Sequence, residues 1–207
     1  MRIDRLEPSR RIKGRFLVHL ENGDLLKVTE QEVLTFALYT GMELDPERLA
    51  ALTEAGKQSC AKARAASMVG ARPLSRKELT RKLEEKGEDP EHARQAVDWL
   101  EELGAVNDAD YGKIVARHYS AKGYGPRKIQ DELFRRGVPR ELWAEALEEA
   151  VSPEAGIDTY LRQKLRGAAP DDTKALKRVT DGLMRRGYRW EDIKAGLRRY
   201  GAEIEEA

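Results

Sequence analysis

The 207-residue sequence has little of what disulfide bonding or membrane insertion requires. It contains one cysteine, Cys60, so no disulfide can form within one chain. No apolar run approaches the roughly 18 residues that a membrane-spanning helix needs. The N-terminal residues also lack the apolar core of a secretory signal. We therefore expect a protein of the reducing cytoplasm that makes no contact with a membrane.

Residues able to perform acid–base chemistry near neutral pH are also scarce. There are three histidines: His19 on a predicted strand, and His92 and His118 on predicted solvated helix faces. None has nucleophilic and acidic partners at a recognisable spacing. The sequence lacks HExxH, a Cys-His zinc spacing, GxxxxGK[ST], and GxGxxG after a strand. We therefore expect neither enzymatic activity nor a bound cofactor or metal.

Charged residues, in contrast, are abundant and nearly balanced. The chain has 38 Lys and Arg against 37 Asp and Glu, and together they make up 36% of it. An average globular protein has about 25%. Long stretches are dominated by Ala, Glu, Lys, Leu and Arg, which is typical of helices with exposed charged faces. The net charge of +1 argues against a histone-like polycation but permits a local basic surface.

The N-terminal segment has the pattern of a small sheet. An Asn-Gly pair at positions 22 and 23 separates two apolar runs. This pair predicts a hairpin with a two-residue type I′ turn, in which Leu20 lies opposite Leu25. Ile3 and Leu6 are candidates for a third strand. Because an isolated hairpin is marginally stable, we expect it to pack against a helix.

Two helices are predicted after the hairpin. Thr29 and Glu32 fit a capping box that begins a short helix ending at Tyr39, with a glycine two residues later as its stop. Asp45 followed by proline predicts the start of a long helix over residues 46–69. Residues 1–45 are thus predicted to form the hairpin and the short helix.

The strongest pattern is an internal repeat with a spacing of 50 residues. Three times, two apolar residues lie four positions apart and a glycine follows four positions after the second: Leu79, Leu83 and Gly87, then Ile129, Leu133 and Gly137, then Val179, Leu183 and Gly187. Such a pair forms the buried stripe of a helix, and glycine ends that helix in a left-handed conformation. One further helix is predicted before, and another after, each helix that carries such an apolar pair.

The repeat defines the predicted fold class and its divisions. We expect a mainly α protein built of tandem three-helix-bundle repeats in an elongated curved array, with a small N-terminal β-hairpin element. The predicted repeats cover residues 46–106, 107–151 and 152–207. Each is small for independent stability, so we expect neighbouring repeats to support one another.

Cations recur at matching positions of the repeats. They are Lys77, Arg127 and Lys177, with Arg76, Lys128 and Arg178 beside them. In the first two repeats they lie in a first helical turn, where a cation opposes the helix dipole by roughly 0.3–1 kcal/mol. This recurring local cost suggests an acidic partner, whether phosphate or carboxylate. Ordinary solubility is an equally good explanation. Residues 111–207 carry 20 basic and 16 acidic side chains, so positive charge concentrates in the last two repeats.

The ordered combination of these features resembles the RecX family of recombinase regulators. The resemblance is densest in the middle repeat, at Asp108, Tyr111, Lys122-Gly123, Gly125, Ile129, Leu133 and Arg136-Gly137-Val138. It implies a cytoplasmic bacterial protein that binds the RecA recombinase. Members of the family lie in the groove of the RecA–DNA filament and restrain strand exchange, ATP hydrolysis and coprotease activity.

From this resemblance and the recurring cations we predict a partner-binding surface. Its residues are basic and come mostly from the middle repeat: Arg117, Lys122, Arg127, Lys128, Arg135, Arg136, Lys177 and Arg178. They are expected to meet acidic recombinase surface or DNA phosphate in the filament, and we expect the chain to be a monomer. Two alternatives stay open. One is a direct nucleic-acid binder with helix-turn-helix-like units, and the other is a helical scaffold for an unrelated partner.

Overall fold

The computed structural model describes residues 1–166 and 172–201, which divide into two compact units. One unit runs from Met1 to Val106 and the other begins at Asn107. The described residues are mainly helical and include a three-stranded antiparallel sheet near the N-terminus. The predicted mainly α class with an N-terminal β element is therefore confirmed. Residues 167–171 and 202–207 of the predicted third repeat lie outside the described residues.

The sheet is a meander of three consecutive strands, β1 (Ile3–Pro8), β2 (Arg15–Leu20) and β3 (Leu25–Thr29). The third strand predicted from Ile3 and Leu6 is thus present. Ile3, Val18 and Val28 are fully buried in one core cluster with Leu52 of the long helix that follows. A sheet this small depends on such cover, as the sequence predicted.

The turn between β2 and β3 differs from the predicted type I′ turn. That turn needs two residues with positive φ, but in this loop only Gly23 has one, at +89°. The N–H of Leu20 donates to the carbonyl of Asp24 (2.9 Å), which leaves a three-residue loop with glycine in the left-handed region. The predicted register is therefore wrong by one residue, and Val18 lies opposite Leu26.

Helix α1 (Glu30–Thr35) begins as predicted but ends early. Oε2 of Glu32 accepts hydrogen bonds from the N–H of Thr29 (2.7 Å) and from its hydroxyl (2.6 Å), which closes the predicted capping box. The helix does not reach Tyr39, because Ala37 adopts a left-handed φ of +50°.

The first bundle consists of α2 (Pro46–Ala71), α3 (Arg76–Glu85) and α4 (Pro90–Glu102). The carboxylate of Asp45 caps α2, as predicted, by accepting from the N–H of Arg48 (2.7 Å). All three helices contribute to one core, whose buried residues include Ala61, Ala65, Leu79, Leu83, Ala93, Ala96, Val97 and Leu100. The N-terminal half of α2 covers the sheet, so one helix serves both cores.

The second bundle consists of α5 (Asp108–Ala121), α6 (Pro126–Arg135) and α7 (Trp143–Glu148). A short 3-10 turn (Arg140–Leu142) comes directly before its last helix. The indole N–H of Trp143 donates to the carbonyl of Val138 (2.9 Å), which ties this connection to the first turn of α7.

The third bundle consists of α8 (Pro153–Lys164), α9 (Thr173–Arg185) and α10 (Trp190–Arg199). Its buried residues come from all three helices and include Ile157, Leu161, Val179, Leu183, Ile193 and Leu197. Gly196 of α10 lies so close to α8 that a Cβ there would be 2.5 Å from a methyl carbon of Ile157.

The matched positions of the repeat have the same environment in all three bundles. Their six apolar residues are between 0% and 5% exposed. Their glycines have φ values of +83°, +73° and +86°. The residue after each glycine donates its N–H to the carbonyl of the second matched leucine, at 3.1, 3.0 and 3.2 Å. Each second helix thus ends in the same glycine-dependent motif, as the sequence predicted.

Two neighbouring residues of α6 test which side of this helix faces the core. Leu133 is fully buried, whereas Phe134 is 75% exposed. We expect Leu133→Ala to lower the free energy of unfolding by about 2–5 kcal/mol, through lost burial and a cavity. Phe134→Ala should change it by no more than about 0.5 kcal/mol. Urea unfolding followed by circular dichroism measures both. Equal losses would show that the inward face of α6 is assigned wrongly.

Candidate partner-binding surface

The start of α6 places two predicted contact residues in one helical turn. After α5 ends, Gly123 takes a left-handed φ of +77° and Gly125 becomes the N-cap of α6. Arg127 and Lys128 therefore lie in the first turn, which contains no acidic residue. Arg127 is exposed and Lys128 is half-buried. Both cations oppose the dipole of their own helix, as the sequence predicted.

The backbone of the turn between α9 and α10 caps the start of α6, where no side chain does so. The N–H of Gly125 donates to the carbonyl of Arg186 (2.8 Å), and the N–H of Arg127 donates to the carbonyl of Gly187 (3.1 Å). These bonds satisfy two of the N–H groups that a helix start leaves unpaired. A Cβ at Gly125 would lie 2.6 Å from the nitrogen of Tyr188, so only glycine fits here. The contact joins the second and third bundles.

Arg186 strengthens the same junction with its side chain. Its Nη1 donates to the carbonyls of Lys122 (3.1 Å) and Gly123 (3.2 Å), at the end of α5. Its guanidinium carbon lies 5.6 Å from the ring centre of Tyr124 and 5.0 Å from that of Tyr160. A cation just before the terminal glycine interacts favourably with the carbonyl end of its own helix. The structure shows that it also neutralises the carbonyl end of another helix.

Arg136, the matching residue of the second bundle, is engaged inside that bundle. Its Nη1 donates to the hydroxyl of Tyr111 (2.8 Å), its Nη2 lies 3.4 Å from the hydroxyl of Tyr119, and its Nε lies 3.5 Å from Oε2 of Glu132. Burial disfavours the charged form, but hydrogen bonds to the two tyrosines outweigh this and raise the pKa of Arg136. Arg136 thus contributes to packing within its own bundle.

Glu132 is a buried acid held by two arginines. Its Oε2 lies 2.5 Å from Arg135 and 3.5 Å from Arg136. Burial alone would raise the pKa of Glu132, but the hydrogen bond from Arg135 and those from neighbouring groups lower it. Its carboxylate is therefore charged at neutral pH, and the two arginines neutralise this buried negative charge.

The remaining predicted contact residues are at the surface. Arg117 pairs with Glu149 (3.1 Å), and the ammonium of Lys122 lies 5.8 Å from the ring centre of a tyrosine. Lys177 and Arg178 are both exposed on α9, one turn after it begins. In residues 1–166 and 172–201, no ion pair joins Arg127, Lys128, Lys177 or Arg178 to an acid.

One of the two cations at the start of α3 has a different environment. Arg76, in the first turn of α3, pairs with Asp98 and Glu101 of α4. The cost of a cation at this helix start is therefore offset within the bundle. Lys77, which matches Arg127 in the repeat, is exposed and, like the cations at the start of α6, pairs with no acid among the described residues.

The side chains considered for chemistry do not form a reaction centre in the part of the chain that is described. His92 is buried, contrary to our prediction, because α4 packs against α2 and the ring Nε2 lies 2.7 Å from Oε1 of Glu54. No cluster of three or more His, Cys, Asp or Glu side chains suited to a metal ion occurs among the described residues. None of the described helices has the length and apolar character needed to cross a membrane.

Comparison with protein-family models finds two matches. Residues 61–100 match the model described as RecX, first three-helix domain, and residues 107–147 match RecX, second three-helix domain. The "Regulatory protein RecX" of Pseudomonas fluorescens (strain SBW25) is 33% identical over 130 residues, which cover 62% of this chain and 84% of that protein. The protein of the same name from Xanthomonas axonopodis pv. citri is 34% identical over 137 residues, or 65% and 84% of the two chains.

Two solved structures share the fold. A crystal structure of regulatory protein RecX superposes with a TM-score of 0.71 at 21% identity, over 96% of this chain and 98% of that one. The crystal structure of RecX from Lactobacillus salivarius gives a TM-score of 0.64 at 17% identity, over 70% and 97% of the two chains.

An alanine at position 125 tests the close contact between the start of α6 and the α9–α10 turn. Gly125→Ala places a Cβ against the backbone of the α9–α10 turn, and we expect it to lower the free energy of unfolding by about 1–3 kcal/mol. Gly70→Ala is the matched control, because no atom lies within 4 Å of the added carbon and alanine favours a helix. Urea unfolding should show opposite signs for the two variants. An unchanged Gly125→Ala variant would contradict the close approach of the two turns.

Proposed function

Because the chain belongs to the RecX family of regulatory proteins, we propose that it is a non-enzymatic regulator that binds the filament formed by the RecA recombinase on DNA. Bound in the groove of the filament, it inhibits strand exchange, ATP hydrolysis and coprotease activity. It acts in the cytoplasm as a monomer, in homologous recombination, DNA repair and the SOS response.

One observation about this chain supports the proposal most directly. The cations at the start of α6 and on α9 are exposed or half-buried and have no acid partner among the described side chains. A partner that supplies negative charge would remove the local cost at the start of α6. Several weak contacts carried by tandem bundles in one chain would also gain avidity.

Direct binding to nucleic acid is the second candidate, and the same cations favour it. Helix-turn-helix proteins read bases from one helix and hold the phosphates with Lys and Arg. The two candidates differ in their dependence on salt. If the chain binds bare DNA through about six phosphates, log K should fall with log salt with a slope of about −5. We expect a much shallower slope on bare DNA and tight binding only to the recombinase filament.

Reversing the charges at the start of α6 tests the proposed contact surface. We expect Arg127→Glu/Lys128→Glu to leave the free energy of unfolding unchanged or slightly higher, because acidic side chains suit a helix start. The same variant should inhibit strand exchange at least about tenfold less effectively. Inhibition is measured with the purified recombinase, DNA and increasing amounts of regulator.

The matched control is Lys77→Glu, which makes the same charge change in the first turn of α3. It should inhibit as well as the unaltered chain. Full inhibition by the double variant would remove Arg127 and Lys128 from the contact surface. No inhibition by the unaltered chain would contradict the proposed function itself.

A further inference from the structure

One side of α6 presents four exposed residues of mixed character: Arg127, Asp131, Phe134 and Arg135. We call this set the α6 face. Its spacing of four, three and one residues places all four side chains on one side of a helix. Phe134 is 75% exposed. A single exposed apolar side chain is ordinary at a protein surface, so Phe134 alone indicates nothing.

The same set recurs 50 residues later on α9. Lys177, Asp181, Met184 and Arg185 occupy the matching positions and are likewise all exposed, Met184 to 43%. We call these residues the α9 face. Packing accounts for the buried matches of the repeat, but it places no demand on exposed positions. The recurrence of cation, aspartate, apolar residue and arginine therefore needs another explanation.

The first bundle shows that the fold does not require this surface. The matching residues of α3 are Lys77, Arg81, Glu84 and Glu85, so three of the four positions have a different chemical character. Arg81 pairs with Glu85 on the same helix (2.5 Å). The bundle forms the same buried stripe beneath this other surface. The shared character of the α6 and α9 faces is thus separable from folding.

We propose that the α6 face and the α9 face are two equivalent docking sites, which bind the same surface on two subunits of a polymeric protein partner. The inference rests on the proposed function and names the residues and partner chemistry that would carry it. The surface recognised on each subunit is an apolar pocket with carboxylates at its rim and a basic group opposite the aspartate.

The charges of the two faces favour protein over nucleic acid as the occupant. Each face has an aspartate between its cations, and a DNA backbone lying along it would place phosphates against Asp131 or Asp181. A protein rim can match both signs of charge. Phe134 and Met184 also gain most from a partner that offers an apolar pocket, because burying such side chains is the usual source of affinity at interface centres.

The duplication points to the arrangement of the partner. Two like faces on one chain are useful against a partner that presents one surface repeatedly, as a polymer of identical subunits does. The second contact then forms at a high effective concentration, so two modest affinities multiply. A partner with a single site would use only one face at a time.

Serine substitutions test both faces in the full chain. Phe134→Ser and Met184→Ser are made singly and together, with Glu84→Ser on α3 as the matched control. Labelled protein is titrated by fluorescence anisotropy with recombinase filament assembled on single-stranded DNA with a slowly hydrolysed ATP analogue. We expect each single variant to bind about tenfold more weakly, the double variant more weakly than either, and the control unchanged. Urea unfolding verifies that all four variants are folded.

A second titration uses recombinase kept unassembled by omitting nucleotide and DNA. Each single variant should lose no more than about twofold here, because one intact face suffices for one subunit, while the double variant loses binding. If the unaltered chain binds the filament and the double variant binds equally well, the inference is wrong and the proposed function stands. If the unaltered chain binds no filament, both fail. An equal loss on bare DNA would make nucleic acid the occupant and would also overturn the inference.

Discussion

A buried apolar pair on the second helix of each bundle constrains the rest of this structure. Leu133 and its counterparts Leu83 and Leu183 are fully buried, and each lies four residues before a glycine with positive φ. The pair sets the rotation of the helix about its axis, and the glycine sets where it ends. Everything on the opposite side is therefore directed outward by the core. The exposed cations, aspartates and apolar residues of α6 and α9 owe their positions to that constraint.

The junction between the second and third bundles follows from the same glycines. Gly187 ends α9, and its carbonyl and that of Arg186 accept from the first turn of α6. A Cβ at Gly187 would lie 2.5 Å from the nitrogen of Lys128, so the glycine that ends one helix also admits the start of another. Because backbone carbonyls cap α6, no Ser or Asp is needed there, and Arg127 and Lys128 can occupy the first turn.

Much of the fold could be predicted because it depends on local spacing. The repeat, the start of α2 at Asp45 and the capping box at Thr29 are local signals, and all are present. The predictions are wrong where the local structure depends on a distant contact or on one backbone dihedral angle. The hairpin has a three-residue loop, and therefore a different register, because only Gly23 in that loop has a positive φ. Helix α1 ends early because Ala37 adopts a left-handed conformation, which a sequence pattern does not reveal.

The placement of the candidate contact residues could be predicted only in part, for the same reason. Exposed cations at the start of α6 follow from sequence position. The intramolecular roles of Arg136 and Arg186, and the burial of His92 beside Glu54, depend on side chains from other helices. A signal for Arg186 was nonetheless present, since Gly125 is an N-cap without a capping side chain, which implies that another part of the chain supplies acceptors. The α6 and α9 faces became recognisable once burial separated matched core positions from matched exposed ones.

Oxidative footprinting measures most directly whether the surface directed outward by the core is the surface that binds. The full chain, alone and saturated with ATP-loaded recombinase filament, is exposed briefly to hydroxyl radicals, and side-chain oxidation is measured by mass spectrometry. We predict that filament binding lowers the oxidation rates of Phe134 and Met184 severalfold. Leu34, which is 74% exposed on α1, should keep its rate and serves as an internal reference. Unchanged oxidation of both Phe134 and Met184 in the saturated complex would contradict this assignment.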